Sequence, residues 1–185
     1  MQIVAVLGSP RPQGNSSTIA NRFLEALGQK GAASQVFTIN KMKFKGCQGC
    51  GSCKGKTEYC VVEDDFSPVY EAIRTANVLL VASPVYFGDI SGQMKCFFDR
   101  TYAFLNPDFS SRLQPGKKAV VILTQGHPDP ALFADVFPRY EQWLKMYGFS
   151  EIELVRGVGL QEADAVASRP EVLAQAEAVA DRLLG

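Results

Sequence analysis

Four cysteines fall within fourteen residues of a 185-residue chain: Cys47, Cys50, Cys53 and Cys60, spaced Cys-x2-Cys-x2-Cys-x6-Cys. Thiols at intervals of three, with a fourth slightly farther on, can converge on one small volume, as a [4Fe–4S] cubane requires of its four cysteinates. Gly46, Gly49, Gly51 and Gly55 let the backbone fold tightly and turn N–H groups toward sulfur. Lys41, Lys43, Lys45, Lys54 and Lys56 would offset the negative charge. The same residues admit zinc, although structural zinc usually takes two separated pairs. They also admit a redox-active dithiol or disulfide, or thiols without metal. A disulfide framework would spread its cysteines across the elements it staples, so this cluster points to metal or redox chemistry. Cys96, beside Phe97 and Phe98 on a helical pattern, reads as a small core residue.

A second chemistry resides in three loops. Gly8-Ser9-Pro10-Arg11-Pro12-Gln13-Gly14-Asn15-Ser16-Ser17-Thr18 joins a first strand to a first helix. Free N–H groups and the dipole at such a helix start make an anion site. Ser9, Asn15, Ser16 and Ser17 add side-chain donors, and Arg11 adds charge. The loop lacks the Lys-Ser/Thr ending of a nucleotide P-loop. A phosphate is the expected ligand, and a helix cap with extra serines is the plainer alternative. The second loop, Ser83-Pro84-Val85-Tyr86-Phe87-Gly88, offers two aromatic residues and a glycine to a flat ring. In the third, Thr124-Gln125-Gly126-His127-Pro128, Gly126 lets the backbone approach the polar edge of a heterocycle. His127, the only histidine, has no visible orienting partner and reads as a turn residue.

The elements that must position these loops alternate. Apolar runs at 2–7, 34–39, 77–82, 119–124 and 151–155 read as strands. Helical periodicity covers the segment closed by Gly28, then 67–75, 92–105, 131–147 and 170–184. Continuous apolar strands between helices mean a parallel sheet covered on both faces. The expected fold is α/β, a flavodoxin-like doubly wound sheet of five parallel strands forming one domain over 1–185. The cysteine-rich loop, 44–65, is inserted after strand 2. Ligands in such sheets bind beyond the carboxyl ends of the strands, where the loops after strands 1, 3 and 4 meet. Asp64-Asp65 reads as a helix start, Asp99-Arg100 as an interface or packing pair, and Trp143, Leu144 and Tyr147 as core or dimer surface. Nineteen basic and nineteen acidic residues balance, so nothing calls for nucleic acid or an anionic membrane. The first residues show neither a leader-like nor a spanning pattern, so a cytoplasmic location is expected.

Gly8-Ser9-Pro10-Arg11 with Gly14-Asn15-Ser16, and Ser83-Pro84-Val85-Tyr86-Phe87-Gly88 continuing through Asp89-Ile90-Ser91-Gly92-Gln93-Met94-Lys95, resemble the NADPH-dependent FMN reductase branch of the flavodoxin superfamily. The cysteine spacing resembles that of the iron–sulfur flavoproteins of archaea and bacteria. The resemblance covers residues 1–125 well, and the remainder only in its alternating pattern. It implies FMN, with phosphate on Ser9, Arg11, Asn15, Ser16 and Ser17, and isoalloxazine against Pro84, Val85, Tyr86, Phe87, Gly88, Thr124, Gln125 and Gly126. It implies NAD(P)H as electron donor, a small-molecule or protein acceptor, and a homodimer or homotetramer. An NAD(P)H-dependent reductase is expected. The alternative is an electron carrier relaying through FMN and a [4Fe–4S] cluster on Cys47, Cys50, Cys53 and Cys60.

Overall fold

The strands form where β-branched and aliphatic residues run without interruption. In a computed structural model that describes residues 1–184, these runs become β1 (Gln2–Leu7), β2 (Ala33–Thr38), β3 (Val78–Tyr86), β5 (Lys118–Thr124) and β6 (Glu151–Gly157). All five are parallel, in the order β2-β1-β3-β5-β6. This is the flavodoxin-like order, and its topological switch lies between β1 and β3.

Helices cover both faces. On one, α1 (Asn15–Gly28) and α5 (Pro170–Leu184) bury Ile19, Phe23, Leu27, Val172, Ala176 and Val179 against Ile3, Ala5, Leu80 and Ile122 of the sheet. On the other, α2 (Ser67–Thr75), α3 (Gly92–Arg100) and α4 (Val136–Met146) pack Val69, Ile73, Met94, Phe97, Tyr140 and Leu144 onto Val4, Val6, Leu79 and Val121. Cys96 packs against this second core, as expected of a small apolar residue. Leu144 and Tyr147 belong to it too, whereas Trp143 is 46% exposed.

Three element boundaries differ from the sequence reading. β3 continues past Ala82 to Tyr86, then turns through Phe87 and Gly88 into a short antiparallel partner, β4 (Asp89–Ile90). Both turn residues have positive φ, 51° and 87°. A mirror-image hairpin turn needs that backbone, which normally calls for Asn-Gly, so Phe87-Gly88 carried no signal. α3 stops at Arg100 and gives way to a tighter 3₁₀ turn over Thr101–Phe104. α4 begins at Val136 rather than near Ala131. Pro138, with no N–H to donate, is tolerated only in a first turn, and that fixes the start.

The hairpin fastens the carboxyl edge of the sheet. Ser91, fully buried, donates from Oγ to the Gly8 carbonyl at 2.7 Å and caps α3 by accepting from the Met94 N–H. Ser83 Oγ accepts from the Ser91 N–H at 3.0 Å. Ser91→Ala leaves the Gly8 carbonyl unpaired and uncaps α3. A loss of about 1–3 kcal/mol follows, read in urea as a lower midpoint at unchanged slope.

Candidate functional site

At the carboxyl edge, a cavity of about 230 Å³ opens between the loops that follow β1, β3, β5 and β6. Nine of the expected residues line it: Ser9, Arg11, Asn15, Ser16, Pro84, Val85, Tyr86, Thr124 and Gly126. Gly14, Leu160 and Gln161 line it as well. Ser17 is buried beside the cavity without lining it, and Phe87 and Gly88 form the hairpin tip outside.

The chain concentrates donors at the start of α1. The first N–H groups of any helix lack intrahelical acceptors, and Gly14, the capping residue, supplies no side-chain bond to them. Gly14 could not be larger, because a Cβ there would stand 2.9 Å from Ser9 Oγ and 3.0 Å from Arg11 Cβ. Ser9 Oγ accepts from the Arg11 N–H at 3.1 Å, which shapes the turn and leaves the hydroxyl hydrogen free to donate. Ser16 Oγ is buried and has no partner among the described residues. A buried hydroxyl without a partner on the wall of a cavity has a hydrogen to donate into it.

Two of the expected ligand residues, Asn15 and Gln125, have their side chains engaged within the fold. Asn15 spends its side chain on the segment after β6, donating to the Leu160 and Glu162 carbonyls at 3.1 and 2.6 Å and accepting from the Val166 N–H at 2.9 Å. It brings Leu160 and Gln161 to the cavity. Gln125 is buried, donates to the His127 and Asp129 carbonyls, and accepts from Arg156 at 2.6 Å. His127 accepts the Asp129 N–H on Nδ1, a turn contact that matches its reading as a turn residue.

The cysteine loop forms a separate site. Cys47, Cys50, Cys53 and Cys60 all line one pocket of about 230 Å³, together with Lys54, Arg100 and Tyr102. Gly49 and Gly51, at φ of 60° and 69°, make the turns that bring the thiols round. Among the described residues, no three His, Cys, Asp or Glu side chains converge as a single metal ion would need. The N–H and hydroxyl of Ser52 lower the Cys50 thiol's pKa, whereas burial raises that of Cys53. Lys54 rests over the Tyr102 ring, 3.8 Å from its centroid, and donates to the Tyr102 and Leu105 carbonyls.

Asp64 and Asp65 lead into α2, where Asp64 accepts the N–H of the capping residue Phe66, and they also close this loop. Asp65 accepts from the Lys43 N–H at 2.6 Å, and Asp64 from the Lys45 and Phe66 N–H groups and from Arg100. Burial works to raise the Asp64 pKa, but Arg100 and those N–H donors outweigh it and hold the carboxyl below the usual range. Asp99, the other half of the expected pair, turns outward to Lys95. The two sites share no lining residue. Ser91 at the head of α3 binds the β1 loop, while Arg100 at its tail enters the cysteine pocket, so a helix of nine residues, about 13 Å, separates them.

Asn15→Ala removes two buried hydrogen bonds and one part-buried one and loosens the 160–166 segment. Unliganded stability should fall by about 1–3 kcal/mol, with faster amide exchange confined to that segment; exchange unchanged there would contradict the tether.

The family model for NADPH-dependent FMN reductases matches residues 1–136. An iron–sulfur flavoprotein of Methanosarcina thermophila is 32% identical over 116 residues, 63% of this chain and 60% of that protein. One from Archaeoglobus fulgidus is 30% identical over 161 residues, 86% of this chain and 70% of that protein. The chain thus spans less than two thirds of the first relative's length. Among solved structures, an NAD(P)H:quinone oxidoreductase from Methanothermobacter marburgensis superposes with a TM-score of 0.77 at 17% identity, over 100% of this chain and 98% of that one, and shows the shared fold. With its loops, sheet order and family match in agreement, the chain belongs to the NADPH-dependent FMN reductase family.

Proposed function

We propose that this chain is an NAD(P)H-dependent oxidoreductase that holds FMN at the carboxyl edge of its sheet and a [4Fe–4S] cluster on Cys47, Cys50, Cys53 and Cys60. The unpartnered Ser16 hydroxyl at the open start of α1 carries the flavin half of this reading. When bound, FMN takes up a hydride and releases electrons, and the protein supplies placement and electrostatics. Ser9, Ser16 and the first N–H groups of α1 receive the phosphate, with Arg11 beside it offsetting charge. Ser17 contributes through its backbone. Thr124 and Gly126 stand at the ring's polar edge, with Pro84, Val85 and Tyr86 against its face.

The cavity is smaller than the usual 300 Å³ or more of a complete small-molecule pocket. It suits the phosphate and sugar-alcohol end, leaving the ring across the mouth, where one face stays open to nicotinamide. Phe87 stands fully exposed on a strained turn at φ 51°. Neither feature gains anything inside this chain, which supports a homodimer or homotetramer whose second copy covers the hairpin and the ring. The exposed Trp143, in a groove with Phe98, Tyr102 and Tyr140, is a second surface of that kind.

The cluster half is supported by four thiols on one pocket wall. A cubane takes each thiolate on a different iron, so its sulfurs stand farther apart than around one ion. Cys47 and Cys50 are exposed, which favours a second reading. In that reading the protein is a carrier whose cluster meets a protein partner directly. Steady NAD(P)H oxidation with a free quinone or flavin, without a protein partner, supports the reductase and excludes the pure carrier.

Two measurements test the halves separately. Ser16→Ala should leave unliganded stability unchanged or slightly higher, since it removes a buried unpaired group. It should weaken FMN binding by about 10–100-fold, the worth of a hydrogen bond to a charged group. Unchanged FMN affinity would contradict the site. Anaerobic reconstitution should give about four irons per chain, the content of one cubane. Cys50→Ala should lose the iron yet keep FMN, and fewer than about one iron in the wild-type chain would overturn the cluster.

A further inference from the structure

The cysteine loop is shut at its base by one side chain. Arg100, 1% exposed, donates from Nη1 to the Lys45 carbonyl at 3.2 Å and from Nη2 to the Val62 carbonyl at 2.7 Å. Lys45 precedes Cys47 by two residues and Val62 follows Cys60 by two, so the guanidinium ties both ends of the thiol-bearing segment. Nη1 also meets both oxygens of Asp64, at 2.7 and 2.5 Å. The group stacks over Phe66 and Tyr70, 5.3 and 5.4 Å from their ring centroids.

One donor is left over. Arg100 Nε–H is buried and has no acceptor among the described residues, although Arg100 lines the pocket that holds all four thiols. An unpaired buried donor costs about 1–3 kcal/mol, and more when charged. Arginine cannot shed its proton to escape that cost. The other cation on the pocket wall, Lys54, has already committed its ammonium to two carbonyls and a ring. Arg100 is therefore the cation with a donor to spare, and four thiolates around iron and sulfide are an anion that would take it.

We propose that Arg100 is a positioning residue of the cysteine site, whose guanidinium clamps the loop ends while its charge and Nε–H are directed at the sulfur of the bound cluster. This rests on the cluster reading above. Potentials of iron–sulfur centres follow net charge and hydrogen bonds to sulfur. A fixed positive charge favours the reduced, more negative state and so raises the potential; Asp64 works against it. Arg100→Gln should then shift the cluster's midpoint negative, and Asp64→Asn should shift it positive. Each shift should correspond to at least a tenfold change in the oxidised-to-reduced ratio, about 59 mV for one electron.

The test is an anaerobic reductive titration of reconstituted, FMN-loaded wild type and both variants, reading the paramagnetic signal of the reduced cluster, with iron and FMN content measured alongside. Shifts of opposite sign establish the role. A merely structural clamp would cost both variants iron and leave the remaining clusters at the wild-type potential, and that result would overturn it. If Arg100→Gln fails to fold, judged by lost FMN and helical signal, Asp64→Asn decides alone. A positive shift sustains the proposal and a null or negative shift refutes it. Wild type without iron would instead bring down the cluster reading and this proposal together, whereas full iron with unshifted potentials removes only the role of Arg100.

Discussion

The opening turn of α1 presents N–H groups that the helix itself cannot pair, and the carboxyl edge is arranged around that fact. Gly14 keeps the approach narrow because no Cβ fits beside Ser9 and Arg11. Ser16 adds a hydroxyl that finds no partner within the chain. Asn15, between them, draws the 160–166 segment in as a wall. Ser91 ties the β1 loop to the β3 hairpin through the Gly8 carbonyl, so the loops on either side of the sheet's switch point are joined by a buried hydrogen bond. An anion at that helix start would satisfy donors that folding alone leaves open, and in the reading proposed above the phosphate end of the flavin supplies it.

α3 joins this edge to a second, independent pole. Its head caps onto Ser91, and its tail ends on Arg100, buried under the cysteine loop. The two poles use different chemistry. The first is built from neutral donors and a helix dipole. The second sets a permanent cation, paired behind with the Asp64 carboxylate, on the wall of a pocket lined by four thiols. Because no residue lines both cavities, changes at one should leave the other's ligand in place. Within one chain the poles stand about a helix length apart.

Much of this was legible in the sequence because it depends on local pattern. Uninterrupted aliphatic runs specify buried parallel strands, and helical spacing between them specifies the covering layers. The glycine- and serine-rich loop after β1 pointed to the cavity it lines, and four close cysteines announced a shared pocket. What stayed hidden depends on partners far along the chain. Nothing near Asn15 reveals that its amide is spent on carbonyls 145 and 147 residues away. Gln125 is likewise consumed by Arg156 and its own turn. Leu160 and Gln161 carry no motif and are held at the cavity by the Asn15 tether and by the Leu160 N–H bond to the Gln125 carbonyl. Asp64 stands at a helix start, where acidic residues are favoured, but its second partner, Arg100, lies 36 residues on. Phe87 occupies a backbone conformation that its type does not advertise.

The donors gathered at the start of α1 predict that FMN is gripped by its phosphate. Riboflavin differs from FMN only in lacking that group, so titrating the unliganded protein with each, followed by flavin fluorescence, isolates it. Several charge-assisted hydrogen bonds at about 1.5–3 kcal/mol each should make FMN bind at least about 100-fold more tightly than riboflavin. Equal affinity for the two would contradict the account.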